Sequence, residues 1–209
     1  ARGWLRTLEL MSTAERLARS HELAAWIERQ VDRLPGPASL KNRLASPCFV
    51  VVQEHHQAIL LLLSQQHPLH APAFALVRSV YESLVRGVWL WQCANGEELQ
   101  AFSKGGRPPA ISAMLQAVEQ TPSYTGGQLS EIYTKSWNTM CAYTHTGAQQ
   151  VQRWNTSDSI APNYSGEEVN EVLCFTGVFA LLSTLGLATV AADEALASRV
   201  LEKSREWAI

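Results

Sequence analysis

Apolar side chains along this chain recur at helical periods, and no run alternates strictly as a half-buried strand would. From Ser12 to Leu34, one side carries Leu17, Leu23, Trp26, Ile27, Val31 and Leu34. Arg16, Arg19, Glu22, Glu28, Arg29 and Asp32 fill much of the other. Residues three and four apart share a helical face, so the spacing predicts an amphipathic helix with a solvated charged side. Pro35-Gly36-Pro37 stops it. A second helix is predicted from Pro47 to about Gln65. Gln53, Gln57 and Ser64 form its narrow polar edge, with Glu54 beside it. His55 and His56 fall within or beside the opposite apolar arc of Val51, Val52, Ile59, Leu62 and Leu63.

The turn Gln66-His67-Pro68-Leu69-His70 is short enough to return the next helix as an antiparallel neighbour. That third helix runs from Ala71 to about Cys93, and the rest of the pattern is organised around it. Pro72 suits its first turn, where a missing N–H would be unpaired anyway. Asn95-Gly96 reads as its C-cap signal. In a mostly apolar helix, Arg78, Glu82, Val85 and Trp89 share one stripe at roughly 100° per residue, with Arg86 on its flank. Charges in so apolar a stripe need partners, because desolvating them is costly. The short turn also sets Glu54-His55-His56 facing some part of this helix.

Further on, Phe102 to Pro109 reads as a flexible solvated loop that matches no phosphate-binding pattern. A short helix follows from Ala110 to Gln120, closed by Pro122 and Gly126-Gly127. Leu129 to about Thr144 is amphipathic again. Ile132, Tyr133, Met140 and Tyr143 lie on its buried side, Trp137 at the edge, and Glu131, Lys135 and Asn138 opposite. It ends in Tyr143-Thr144-His145-Thr146-Gly147. A histidine there either simply suits the negative end of the helix dipole or offers an imidazole beside a phenol for a site. Gln149 to Asn155 is polar, and its Arg153–Trp154 pair either stacks on a base or lies in a surface loop. Ser165-Gly166-Glu167-Glu168 is a capping box. It opens a long apolar helix that breaks near Ala192-Asp193, before a charged helix to Trp207.

With 209 residues and 46% hydrophobic content, the chain can bury a sizeable core as one domain. The pattern predicts an all-α, up-and-down bundle of about six to seven helices, with residues 47–190 as core and 12–34 as a peripheral helix. Met11 is a candidate start, which makes residues 1–10 upstream or added sequence. A net charge of −2 gives no global pull toward nucleic acid or an anionic membrane. Cys48, Cys93, Cys141 and Cys174 form no C-x-x-C pair and read as reduced core residues of a cytoplasmic protein. The first twenty residues lack the apolar core of a secretory signal. Val172 to Ala192 is uncharged and long enough to span a bilayer. Thr176, Gly177, Ser183, Thr184, Gly186 and Thr189 favour the alternative of a central helix packed closely by its neighbours, with no stable membrane partner.

Catalytic signatures are sparse: neither G-x-S-x-G nor H-E-x-x-H is present. A metal site from His55 or His56, Glu82 and His145 is one alternative; the expectation is no metal and no cofactor. Arg78 and Glu82 are either a buried i,i+4 ion pair that locks register or part of a site. In the second case Arg78 or Arg86 clamps an anionic group with its planar guanidinium, and Glu82 or His145 supplies acid–base chemistry. Arg78, Glu82 and His145 are therefore the candidate catalytic residues. Glu54, His55, His56, Arg86, Trp89, Tyr143 and Arg153 are the candidate ligand contacts.

Arg78-Ser79-Val80-Tyr81-Glu82, Arg86-Gly87-Val88-Trp89-Leu90 and Tyr143-Thr144-His145-Thr146-Gly147 resemble signature segments of an uncharacterised family of bacterial helical-bundle proteins grouped near the HEPN superfamily. The resemblance covers about Pro47 to Leu187. It implies a helical bundle, a homodimer through helix packing, and either RNA cleavage in toxin or phage-defence systems or binding of a nucleotide. HEPN ribonucleases carry an Arg, then four to six residues, then a His. Here Asn138, Thr139 and Met140 precede His145 at that spacing, and only Arg16 and His21, outside the region of resemblance, reproduce it. The functional expectation is an anionic ligand or partner at the Arg/Glu/His pocket, with an RNA- or nucleotide-processing enzyme as the alternative.

Overall fold

A computed structural model describes residues 11–32, 34, 36 and 38–207. Among these residues nine helices occur and no strand, apart from one antiparallel bridge between Asn155 and Ile160. The helices are α1 (Thr13–Val31), α2 (Leu40–Leu63), α3 (His70–Gln92), α4 (Gly96–Ser103), α5 (Ile111–Val118), α6 (Gln128–Thr144), α7 (Ala148–Gln152), α8 (Gly166–Val190) and α9 (Glu194–Trp207). The chain is an all-α helical bundle. The short α4 and α7 account for the count above the expected six or seven. The candidate upstream segment and the stop signals Pro35 and Pro37 lie outside the described residues.

Several boundaries differ from the expected ones for identifiable reasons. Helix α2 starts at Leu40, where the Ser39 hydroxyl accepts from the Asn42 N–H at 3.1 Å, so Pro47 sits inside the helix. An interior proline removes one backbone bond and costs about 3 kcal/mol. Burial offsets it, since Ala45 and Phe49 on either side are wholly buried in the packing of α2 on α3. Asn95 does not close α3. Its side chain accepts from the Glu97 and Glu98 N–H groups while Glu98 returns a bond to the Asn95 N–H, a capping box that starts α4.

Helix α8 is the centre of the bundle, packed by α1, α2, α3 and α9. With 25 residues and a mean hydropathy of 2.0 over its most apolar 18, it is the one described helix long and apolar enough to cross a membrane. Here its small and hydroxyl residues are in contact: Thr176, Ser183 and Thr184 are fully buried. The ring of Phe49 fits between two glycines, so that a Cβ on either Gly87 of α3 or Gly186 of α8 would lie 2.7 Å from a ring carbon.

Helix α1, expected at the periphery, buries Leu23 and Ile27 against α8 and α9 in a second hydrophobic cluster with Leu196, Val200 and Trp207. Arg16, expected on a solvated face, is only 3% exposed, with its guanidinium 5.9 Å from the Trp207 ring centre. The charged face of α1 turns toward neighbours that the helical wheel alone could not supply.

Candidate functional site

Helix α6 ends where its backbone changes hand. His145 is the C-cap, Thr146 takes a positive φ of 54°, and the Gly147 N–H returns to the Ala142 carbonyl at 2.7 Å. Because α6 packs along α3, the exposed His145 imidazole at its end stands next to the middle of α3. Arg78 Nη1 donates to His145 Nε2 at 2.7 Å, while Arg78 Nε donates to Glu82 Oε1 at 3.0 Å and Nη2 completes the ion pair with the same oxygen at 2.9 Å. The Trp137 ring covers the guanidinium at 4.7 Å. A guanidinium has no acceptor, so Nε2 must supply the lone pair and the imidazole in this contact is neutral with its proton on Nδ1. Arg78 and Glu82 remain 22% and 24% exposed, so the pair is only partly buried.

A second feature lies on the other side of α6. Between α3, α6, α7 and α8 is a cleft of about 440 Å³ with apolar walls of Phe74, Val77, Met140, Val172 and Phe175. Its polar end holds Tyr143, Gln149, Gln152, Arg153, Glu168 and Glu171. The expected capping box builds this end. Glu168 Oε2 accepts from the Ser165 N–H at 3.0 Å, and its other oxygen takes Arg153 Nη2. The Tyr143 phenol first, and the Glu168 carboxylate as well, hold the Arg153 guanidinium above its usual pKa. Burial, then the like charges of Glu167 and Glu168, raise the Glu171 carboxyl above the ordinary range.

Thus Arg78, Glu82 and His145 come together, and so do Tyr143 and Arg153, but in two neighbouring places: none of the first three lines the cleft. The Glu54-His55-His56 stretch joins neither. Glu54 is exposed, His55 half-buried, and His56 is turned to α8, where Nδ1 lies 3.0 Å from the Thr176 hydroxyl. Among the described residues no group of three or more His, Cys, Asp or Glu is placed to hold a metal, so His55 or His56, Glu82 and His145 do not assemble one. Trp89 is 4% exposed and belongs to the core. Arg86 faces α2, where its charge opposes the rise that burial imposes on the Cys48 thiol.

Sequence reasoning did not assign Glu168, Glu171 or Phe175 to a site. The capping box located Glu168, but nothing in one helix's periodicity shows that α7 brings an Arg to it.

The fold and its lateral cleft define an all-helical bundle with a recess between four helices. Residues 49–208 match the model of a family of unknown function, DUF6988, and the chain belongs to that family. No curated protein and no solved structure matches it.

Proposed function

We propose that this protein binds a small amphipathic molecule in the cleft between α3, α6, α7 and α8. The observation that carries the reading is the convergence of an ordered polar end, Tyr143–Arg153–Glu168–Glu171, on apolar walls around about 440 Å³. Ligand sites are typically recesses of roughly 300–1,000 Å³ with apolar lining and a few polar groups that fix orientation. The anionic ligand expected at Arg78 would have to displace Glu82, which already occupies one edge of that guanidinium.

The reading is tested with Ser136→Phe, which fills the cleft from the α6 side where Ser136 lines it. Ring-bearing amines, amides and carboxylates are titrated against both proteins by calorimetry. Saturable binding to wild type and its loss in a variant with an unchanged melting temperature support the cleft. Binding of equal strength to both proteins, or to neither, removes it.

A second reading is a HEPN-like, metal-independent ribonuclease or nucleotide-processing activity with His145 as general base. What favours it is an exposed imidazole held beside a cation, Arg78, which would also attract a phosphate. The accepting role of Nε2 adds a condition: His145 takes a proton there only after Arg78 releases it. RNA cleavage in EDTA that His145→Ala abolishes supports this reading, and cleavage absent from wild type ends it.

A further inference from the structure

We propose that the outward face of α2 docks on a second copy of this chain. The two α2 helices lie antiparallel about a two-fold axis midway between Pro47 and Val50.

Helical spacing builds the face. Arg43, Pro47, Val50, Glu54, Gln57 and Leu61 recur every three or four residues and are all exposed, so they form one stripe along α2. The opposite side of the helix carries Phe49, Val52, Ile59 and Leu60 into the core. Val50 is 44% and Leu61 61% exposed, and half-buried Leu44 and Val51 widen the apolar strip on one flank. Single apolar residues on a surface are ordinary. What sets this stripe apart is the order of the charges around them.

The stripe reads the same from either end, with the charge reversed. From Arg43 the steps are four residues to Pro47, three to Val50 and four to Glu54. In a two-fold contact, whatever residue i meets on the partner meets i in return. Turning one copy end over end about the centre of the stripe therefore sets Arg43 opposite the partner's Glu54 and Pro47 opposite the partner's Val50. Leu40 then meets the aliphatic stem of the partner's Gln57, and each contact occurs twice. Neither Arg43 nor Glu54 has an ion pair among the described residues, so both are available. A parallel pair would instead set like charges side by side, which is unfavourable. A membrane or a polyanion would favour one sign of charge along the face, whereas this stripe carries one of each, on either side of an apolar centre.

Pro47 fits the same arrangement. It interrupts the hydrogen bonding of α2, yet its own ring faces outward. In the pair that ring is buried. The matched layers from Leu40 to Gln57 extend over about 26 Å of helix. One helix pair of that length is smaller than a standard interface, so the dimer is reversible, with a dissociation constant of roughly 10–100 μM. No residue of α2 lines the cleft, so occupancy of the cleft and dimerisation are tested separately.

The test is sedimentation equilibrium of the full chain over a concentration series that brackets that range. Wild type is expected to show a monomer–dimer equilibrium that weakens toward about 0.5 M sodium chloride, as the ion pairs are screened. Val50→Asp is expected to be monomeric throughout. Arg43→Glu and Glu54→Arg each put like charges at both symmetric contacts and are expected to weaken the dimer on the order of tenfold or more. The double variant Arg43→Glu/Glu54→Arg restores opposite charges and is expected to dimerise within about threefold of wild type. All these positions are exposed, so melting temperatures should stay at the wild-type value.

A wild-type chain that stays monomeric overturns the proposal, and so does a dimer that Val50→Asp leaves intact. A dimer weakened by both single charge reversals but not restored in the double variant overturns the antiparallel register. The salt series needs no variant: a dimer indifferent to salt does not contain the two Arg43–Glu54 contacts.

Discussion

Arg78 Nη1 lies 2.7 Å from His145 Nε2, and this contact ties the C-terminal end of α6 to the middle of α3. The two residues are far apart in sequence and meet because α6 packs along α3, with the Thr144 hydroxyl donating to the Ala75 carbonyl at 3.3 Å. Arg78 also holds Glu82 and lies under Trp137, so its guanidinium joins three groups from two helices.

Arg78→Ala is therefore expected to destabilise the protein by about 1–2 kcal/mol, and His145→Ala by less than about 1 kcal/mol. The pair should be non-additive by at least about 0.5 kcal/mol in a double-mutant cycle read by urea denaturation. Strict additivity would show that the contact carries no coupling.

Gly87→Ala and Gly186→Ala each test the seat of the Phe49 ring. In an open helix, Gly to Ala stabilises by about 1 kcal/mol. Here the added carbon would stand 2.7 Å from the ring, and the opposite glycine's helix blocks its retreat. Overpacking costs about 1–3 kcal/mol, so both variants should lower the melting temperature. Phe49→Leu, itself destabilising, should make a following Gly87→Ala nearly neutral. A Gly87→Ala protein more stable than wild type would refute the seat.

Burial depresses the His56 pKa from 6.5 to about 4, with the nearby His21 charge a smaller cause. The unfolded chain then takes up this proton first as pH falls. Folding stability linked to His56 is complete above the unfolded pKa of 6.5 and is lost as pH drops toward 4. At 1.36 kcal/mol per unit, the loss at pH 5 is about 2 kcal/mol. Denaturation curves at neutral pH and at pH 5 should show it for wild type and show a clearly smaller drop for His56→Gln. Equal drops in the two proteins would assign the acid sensitivity elsewhere.

Arg16 gives a prediction of the opposite sign. Burial lowers its pKa, with the Arg19 charge adding to that and Cys174 opposing it, and no carboxylate pairs with it among the described residues. Replacing a buried charge by an apolar side chain of similar length is often neutral or stabilising. Arg16→Met should therefore leave the melting temperature unchanged or raise it, by differential scanning calorimetry. A fall of several degrees would mean that the guanidinium contributes more against Trp207 than its desolvation costs.

Helical periodicity by itself determined the all-α class, because an apolar residue every third or fourth position can be buried only on a helix face. It also located the capping box at Ser165 and the break at Ala192, since both depend on residues within a few positions of each other. Pro47 shows the limit: proline is a local signal for a helix start, yet the burial of Ala45 and Phe49 against α3 carries the helix straight through it. Partners across helices were decided only by tertiary structure. The isolated wheel of α1 makes Arg16 solvated, and α9 then covers it with Trp207. The wheel of α2 aims His56 at the core, and Thr176 of α8 determines what it meets there. The stripe on α3 predicted that Arg78 needs partners. Glu82 was readable as one of them, because one turn of helix separates the two. His145, and the union of Arg153 with Glu168 across the cleft, depend on loop paths that no periodicity encodes.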